Sequence, residues 1–239
     1  MRDLPYPSSP PPEGSPTSDR MTVATKKLLV CGAVTGPLFV GTFLIQGATR
    51  TAYNPLRHPV SSLALGDFGW IQTANFIVAG LLTLAFAVGL RSALRPLGGA
   101  TLVPVLIGAI SLGLLGAGLF VTDPVSGYPP GTSDAILQHS THGTLHDLFS
   151  LPTFLAWPIA CIVSAIHFLR RGKSGWAIYS AATGLTFAGA FVLASMGFTQ
   201  VEALVDLGGL FQRIAITAGF AWITLLAVHL LTTSPKTPV

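Results

Sequence analysis

His139, His142, His146 and Asp147 crowd one short stretch of this 239-residue chain, directly ahead of an apolar run. On a helix, residues four apart lie one turn above each other, so the imidazoles of His142 and His146 can converge on a single metal ion. His139 cannot complete that set, because it lies about 10 Å from His146 along a straight helix axis. A mononuclear site therefore takes its third ligand from elsewhere: Asp123 is the first choice, His58 the next, and Asp67, Glu202 and Asp206 follow. Two histidines, a carboxylate and an open position suit zinc, which would lower the pKa of a bound water and polarise a carbonyl or phosphoryl group. In such a site Asp147 would act as general base, and Arg213 would hold an anionic group such as a lipid phosphate. The reaction class would be hydrolysis or transfer on a lipid or other membrane-associated substrate.

The elements that must position these groups are membrane helices. Half of the residues are hydrophobic, only 9% are charged and the mean hydropathy is +0.65, where a soluble domain carries about 25% charged residues. A pI near 9.4 does not signal nucleic acid, because Lys and Arg stand at the ends of apolar runs rather than along a basic stripe. Cys31 and Cys161 fall inside different apolar runs, which argues against a disulfide framework and against a cysteine metal site. They suit small packing positions.

Six segments are apolar over the roughly 20 residues that a span requires: 28–48, 71–90, 99–121, 148–169, 176–198 and 214–231. In hydrocarbon their backbone groups must pair internally, so each is a helix and the fold class is all-α, a six-span bundle. Residues 1–26 form a proline-rich tail expected to be disordered, with Met21 as an alternative start, residues 27–232 the membrane domain and 233–239 a short tail. Arg2, Arg20, Lys26, Lys27, Arg91, Arg95, Arg170, Arg171, Lys173 and Lys236 fall on the side of the termini, against Arg50, Arg57 and Arg213 opposite. That asymmetry places both termini in the cytoplasm. Trp70 and Tyr128 then anchor the outer boundary, and Trp176 and Tyr179 the inner one.

Helix packing is marked by small residues: Gly32 and Gly36, Ser180 and Gly184, and Gly108, Gly113, Gly116 and Gly118. Pro37, Pro104, Pro152 and Pro158 lie within spans, where proline frees a carbonyl. The polar residues are unevenly divided. His58, His139, His142 and His146, with Asp67, Asp123, Asp134, Asp147, Glu202 and Asp206, share the outer side, which points to an outward-facing site.

Five motifs at the outer ends of the spans carry a family resemblance: Asn54-Pro-Leu-Arg-His-Pro-Val-Ser-Ser-Leu, Gly69-Trp-Ile-Gln-Thr-Ala-Asn-Phe, Asp123-Pro through Tyr128-Pro-Pro-Gly, His142-Gly-Thr-Leu-His-Asp, and Gly209-Leu-Phe-Gln-Arg. With these in order, the chain from about residue 28 to 231 resembles the bacterial integral membrane family catalogued as domain of unknown function nine-nine-eight. The resemblance implies a six-span protein of a bacterial cytoplasmic membrane and implies no activity.

Each chemical reading has a structural counterpart. The His-x-x-x-His pair can bond carbonyls or water at a helix end, and Asp123-Pro and Tyr128-Pro-Pro-Gly are turn chemistry. Arg213 is costly at the edge of a span unless paired, and Glu202, Asp206 or Asp123 is its expected partner. Gln72 and Asn75 can cross-link helices without binding any ligand, and the His58-Pro-Val-Ser-Ser segment can dip back onto the bundle. Haem is disfavoured, since His142 and His146 share a face and cannot approach opposite sides of one iron. A non-catalytic protein binding a lipid or partner at its outer face accounts for the same polar cluster. So would a small-molecule transporter, although no ionisable residue lies at the bilayer midplane.

Overall fold

The computed structural model describes residues 21–95, 101–135 and 139–233. The expected tails therefore lie outside the described residues up to position 20 and from 234 onward. Six helices follow one another: α1 (Val23–Thr49), α2 (Gly69–Leu94), α3 (Leu102–Leu119), α4 (Thr141–Arg170), α5 (Ser174–Phe198) and α6 (Gly208–Thr233), with a 3-10 turn at Val60–Ala64. All six are long and apolar enough to cross a membrane, and no strand occurs among the described residues. The chain is an all-α, multi-pass membrane protein.

Helix α3 stops at Leu119, short of the expected 121, while the other helices outrun the expected spans, and for α4 a cap explains why. Helix α4 begins seven residues ahead of Leu148 because Ser140 caps it: the Gly143 N–H donates to Ser140 Oγ at 2.9 Å, satisfying one of the donors a helix N-terminus leaves open. Pro37 and Pro158 sit inside helices, as does Pro152. Pro104 differs: it occupies the first turn of α3, where a missing N–H costs no intrahelical bond.

Each helix packs on its neighbours in chain order, and α6 closes against α1. The result is a ring of six. Small residues let its members approach: Gly113 and Gly116 lie under Thr153 and Phe149 of α4, and Gly36 under Phe220 and Thr224 of α6. Ser180 accepts the Trp222 indole N–H at 3.0 Å, joining α5 to α6. Gly108 departs from the expectation and faces open space. The half of the ring near the start of α1 and the end of α6 is filled by buried side chains including Leu29, Phe86, Leu90, Ile107 and Leu226. At the other half the connections 50–68, 120–135 and 199–207 meet and form the loop end.

Candidate functional site

At the loop end, three arginines brace the chain. Arg213, buried on the first turns of α6, donates through Nη1 to the carbonyls of Pro55 (2.6 Å), His58 (3.0 Å) and Gly209 (2.9 Å), and through Nη2 to the Tyr53 hydroxyl. Tyr53 Oη in turn donates towards the carbonyls of His58 and Pro59. Burial pushes the Tyr53 phenol up to about 12 despite the adjacent guanidinium, so the hydroxyl stays protonated. The expected partners of Arg213 are thus corrected. Asp206 binds Arg57, Asp123 binds Ser140, and Glu202 is exposed; the cation is satisfied by backbone dipoles instead, which lets it hold a folded-back loop. Nothing of its fork that these bonds use is left to grip a phosphate.

Arg50 works alike, donating to the carbonyls of Leu63, Leu65 and Phe68 and to Gln46 Oε1. Arg57 joins three connections: Nη1 meets Asp206 at 2.6 Å, Nη2 meets Asp134 at 2.8 Å, and Nε donates to the Ser126 carbonyl at 3.1 Å. Asp206 first, then burial's opposing effect and Asp134, leave its pKa raised. Backbone pairing completes the junction, with Gly209 N–H to Arg57 O (3.2 Å), Leu210 N–H to Leu56 O (2.8 Å), and Val60 N–H to Gln212 Oε1 (2.7 Å). The first and last sequence motifs are therefore two halves of one joint.

His58 belongs to this joint and not to a ligand set. Its Nδ1 accepts the Asn54 N–H at 2.9 Å, the ring also bonds the Ser126 backbone, and it packs between Tyr53 and Tyr128. Tyr128 is likewise 4% exposed and is no boundary anchor, unlike Trp70 at 68%. Burial, reinforced by Arg57 and Arg213, holds His58 below the ordinary histidine value of 6.5 against the Ser126 bond and Asp134. Between the folded value and 6.5 the unfolded chain binds the extra proton, so neutral His58 contributes its full stability above pH 6.5 and loses it as pH falls towards the folded value. Melting curves from about pH 7.5 down to 5 should fall more steeply for wild type than for His58→Asn, whose amide oxygen keeps the Asn54 bond. Parallel curves would contradict this.

Asp123 grips the start of α4: Oδ2 accepts Ser140 N–H at 2.9 Å and Oδ1 accepts Ser140 Oγ–H at 2.6 Å. Gly143 is needed there, since a Cβ would stand 2.0 Å from Asp123 Oδ2. His146 is 4% exposed and bonds the Phe120 carbonyl through Nδ1 at 2.8 Å, whereas His142 is exposed beside the Phe120 ring and His139 is exposed as well. The structure does not bring the anticipated zinc ligands together. Among the described residues no group of three His, Cys, Asp or Glu side chains converges, because His58 and Asp123 are committed to loop and cap, and His142 and His146 diverge between solvent and core.

What the loop-end half does contain is a cavity of about 610 Å³ inside the ring. Its deep wall is apolar and buried: Phe39, Phe76, Leu114, Trp157, Ile216 and Phe220. Its polar groups include Ser61, Thr122, Thr144, His146, Asp147 and Gln212. The rim is exposed along one stripe of α4, Thr144, Asp147, Leu148 and Leu151, opposite Ser195, Phe198 and Thr199 at the end of α5. Leu148 and Leu151 are 62% and 51% exposed while lining the space, so the cavity opens sideways between α4 and α5. The stripe spans about 10 Å at the helical rise.

His146 and Asp147, expected from the sequence as a metal ligand and a general base, line this cavity; its walls were not anticipated. In the sequence nothing separates Trp157, Phe154 and Phe191 from lipid-facing aromatics. Gln212 lies just ahead of the expected span 214–231 and is brought into α6 by its earlier start. Gln72 and Asn75 do cross-link helices, to Gln46 and to the Phe39 carbonyl.

Residues 33–229 match the model of a family described as a protein of unknown function (DUF998). No match was found among curated proteins or among solved structures.

Proposed function

The chain belongs to that family of unknown function, and on that premise we propose that it is a binding protein for a membrane amphiphile. The hydrocarbon part passes from the bilayer between α4 and α5 into the ring, and the polar head stays among Ser61, Thr144, His146 and Asp147. One observation carries this reading: exposed apolar residues on the outer surface of α4, Leu148 and Leu151, also line an interior space walled by buried aromatics. A pocket that is mostly apolar with a few convergent polar groups is how small-molecule sites are generally built. Hydrolytic chemistry draws no support from the geometry, since the ligands it needs are apart.

The loop end is proposed to face outward and the termini the cytoplasm. Lys26, Lys27, Arg91, Arg95, Arg170, Arg171 and Lys173 lie at the terminal end, while the arginines opposite are the three engaged in bracing. A reporter fused after α6 that is active only outside the cytoplasm would overturn this orientation.

Binding is tested with a photoreactive probe, dodecanol carrying a diazirine at its chain end, in nanodiscs of phosphatidylcholine. Adducts are expected on peptides bearing Trp157, Leu114 or Phe220, and Leu151→Trp at the rim should cut their yield several-fold. Labelling confined to bilayer-facing residues such as Ile178 and Leu185, 70% and 69% exposed, would defeat the proposal.

A further inference from the structure

We infer that the occupant of this cavity carries an ammonium head and that acid-headed amphiphiles, phosphates and carboxylates among them, are selected against. The inference rests on the binding reading above and sharpens it to a chemical class.

Charge at the site is one-sided. No Lys or Arg lines the cavity among the described residues, and Asp147 is its single carboxylate. The nearby cations are engaged: Arg213 and Arg50 with carbonyl groups, Arg57 with Asp134 and Asp206. Asp147 stands exposed on the rim stripe, and its carboxylate enters neither an ion pair nor a hydrogen bond among the described residues. Its near titratable neighbours are His146, whose Nδ1 is held by the Phe120 carbonyl, His139 and Asp123. Apart from His146, the other polar lining groups are serine, threonine and glutamine side chains, Ser61, Thr144 and Gln212 among them, all neutral and with oxygens able to accept from N–H donors.

An ammonium placed here meets an unpaired carboxylate at the edge of a low-dielectric space, where opposite charges attract more strongly than in water. A phosphate in the same place faces that carboxylate with no cation to offset it. Desolvating a charge without a partner is costly, so the site discriminates by what it omits as well as by what it presents. The rim position lets the head remain at the bilayer surface while the chain fills the apolar wall.

The experiment is competition against labelling by the diazirine dodecanol, in phosphatidylcholine nanodiscs, with dodecylamine, dodecyl phosphate and dodecanol as unlabelled competitors dosed by mole fraction in the disc. Dodecylamine should halve labelling at a mole fraction at least tenfold below that of dodecyl phosphate, with dodecanol between them. In Asp147→Asn the amine should lose that advantage and fall within threefold of the phosphate; Asp147 makes no bond whose loss would unfold the chain. Phosphate equal to or better than amine on the wild type, or an amine preference that survives Asp147→Asn, overturns the inference while displacement by dodecanol leaves the binding reading standing. Failure of all three to displace the label from cavity peptides overturns both.

Discussion

Replacing Arg213 with methionine should lower the stability of the detergent-solubilised protein by about 3–5 kcal/mol, the scale seen when one partner of a buried charged network is removed. The substitution keeps most of the stem volume and deletes the guanidinium. Left behind are the carbonyls of Pro55 and His58 and the Tyr53 hydroxyl; among the described residues only the His58 carbonyl keeps another donor, the Tyr53 O–H at 3.2 Å. Arg213→Lys should recover little, because an ammonium cannot reproduce a planar fork that serves the loop with one nitrogen and the phenol with the other. Thermal melting followed by intrinsic fluorescence reads both variants. A methionine variant as stable as wild type, yet defective in ligand capture, would return Arg213 to the anion-binding role that its position in the sequence first suggests.

Gly209→Val should be of comparable severity, about 3 kcal/mol or more, for a steric reason. A Cβ at Gly209 would stand 2.5 Å from the His58 carbonyl oxygen, 2.6 Å from that of Pro55 and 2.9 Å from Arg213 Nη1. Two of these obstacles are backbone, so the loop must lift away from α6. Lifting it breaks the pairing of Gly209 with Arg57 and of Leu210 with Leu56 and pulls the acceptors off Arg213. The double variant Gly209→Val/Arg213→Met should therefore cost clearly less than the sum of the two, since each alone opens the same joint. Additive losses would mean that the two residues support separate structures.

Why the sequence revealed the architecture and misjudged most of the site follows from what each residue needs. Apolar length and the backbone's demand for internal partners act locally, so the six spans could be read segment by segment. Caps act over a few residues, and the early start of α4 was written in Ser140 and Gly143 without being recognised. The chemistry of Asp123, His58 and Arg213 depends on partners from other segments. Asp123 looks like a metal ligand until Ser140 is seen to occupy both of its oxygens. His58 has the same ambiguity, resolved by the Asn54 N–H at its Nδ1. The spacing of His142 and His146 did place them on neighbouring turns, but helix periodicity says nothing of which turn is buried and which meets solvent. A concentration of polar motifs at one end of a bundle can thus record a mechanical joint as readily as a reaction centre. The cavity was least legible of all, because an apolar wall has the composition of every other membrane helix.

The joint also imposes an order on biogenesis. Its bonds connect positions 158 apart, Pro55 with Arg213, and 152 apart, Val60 with Gln212. A ribosome delivers the first hairpin long before α6, so the 53–60 loop leaves the translocation machinery with its acceptors still hydrated and acquires its dry partners only when the final helix docks against α1. Closure of the ring and burial of Arg213 are in this sense a single late event, and a nascent chain that has inserted five helices is topologically almost complete while its interior remains unsealed.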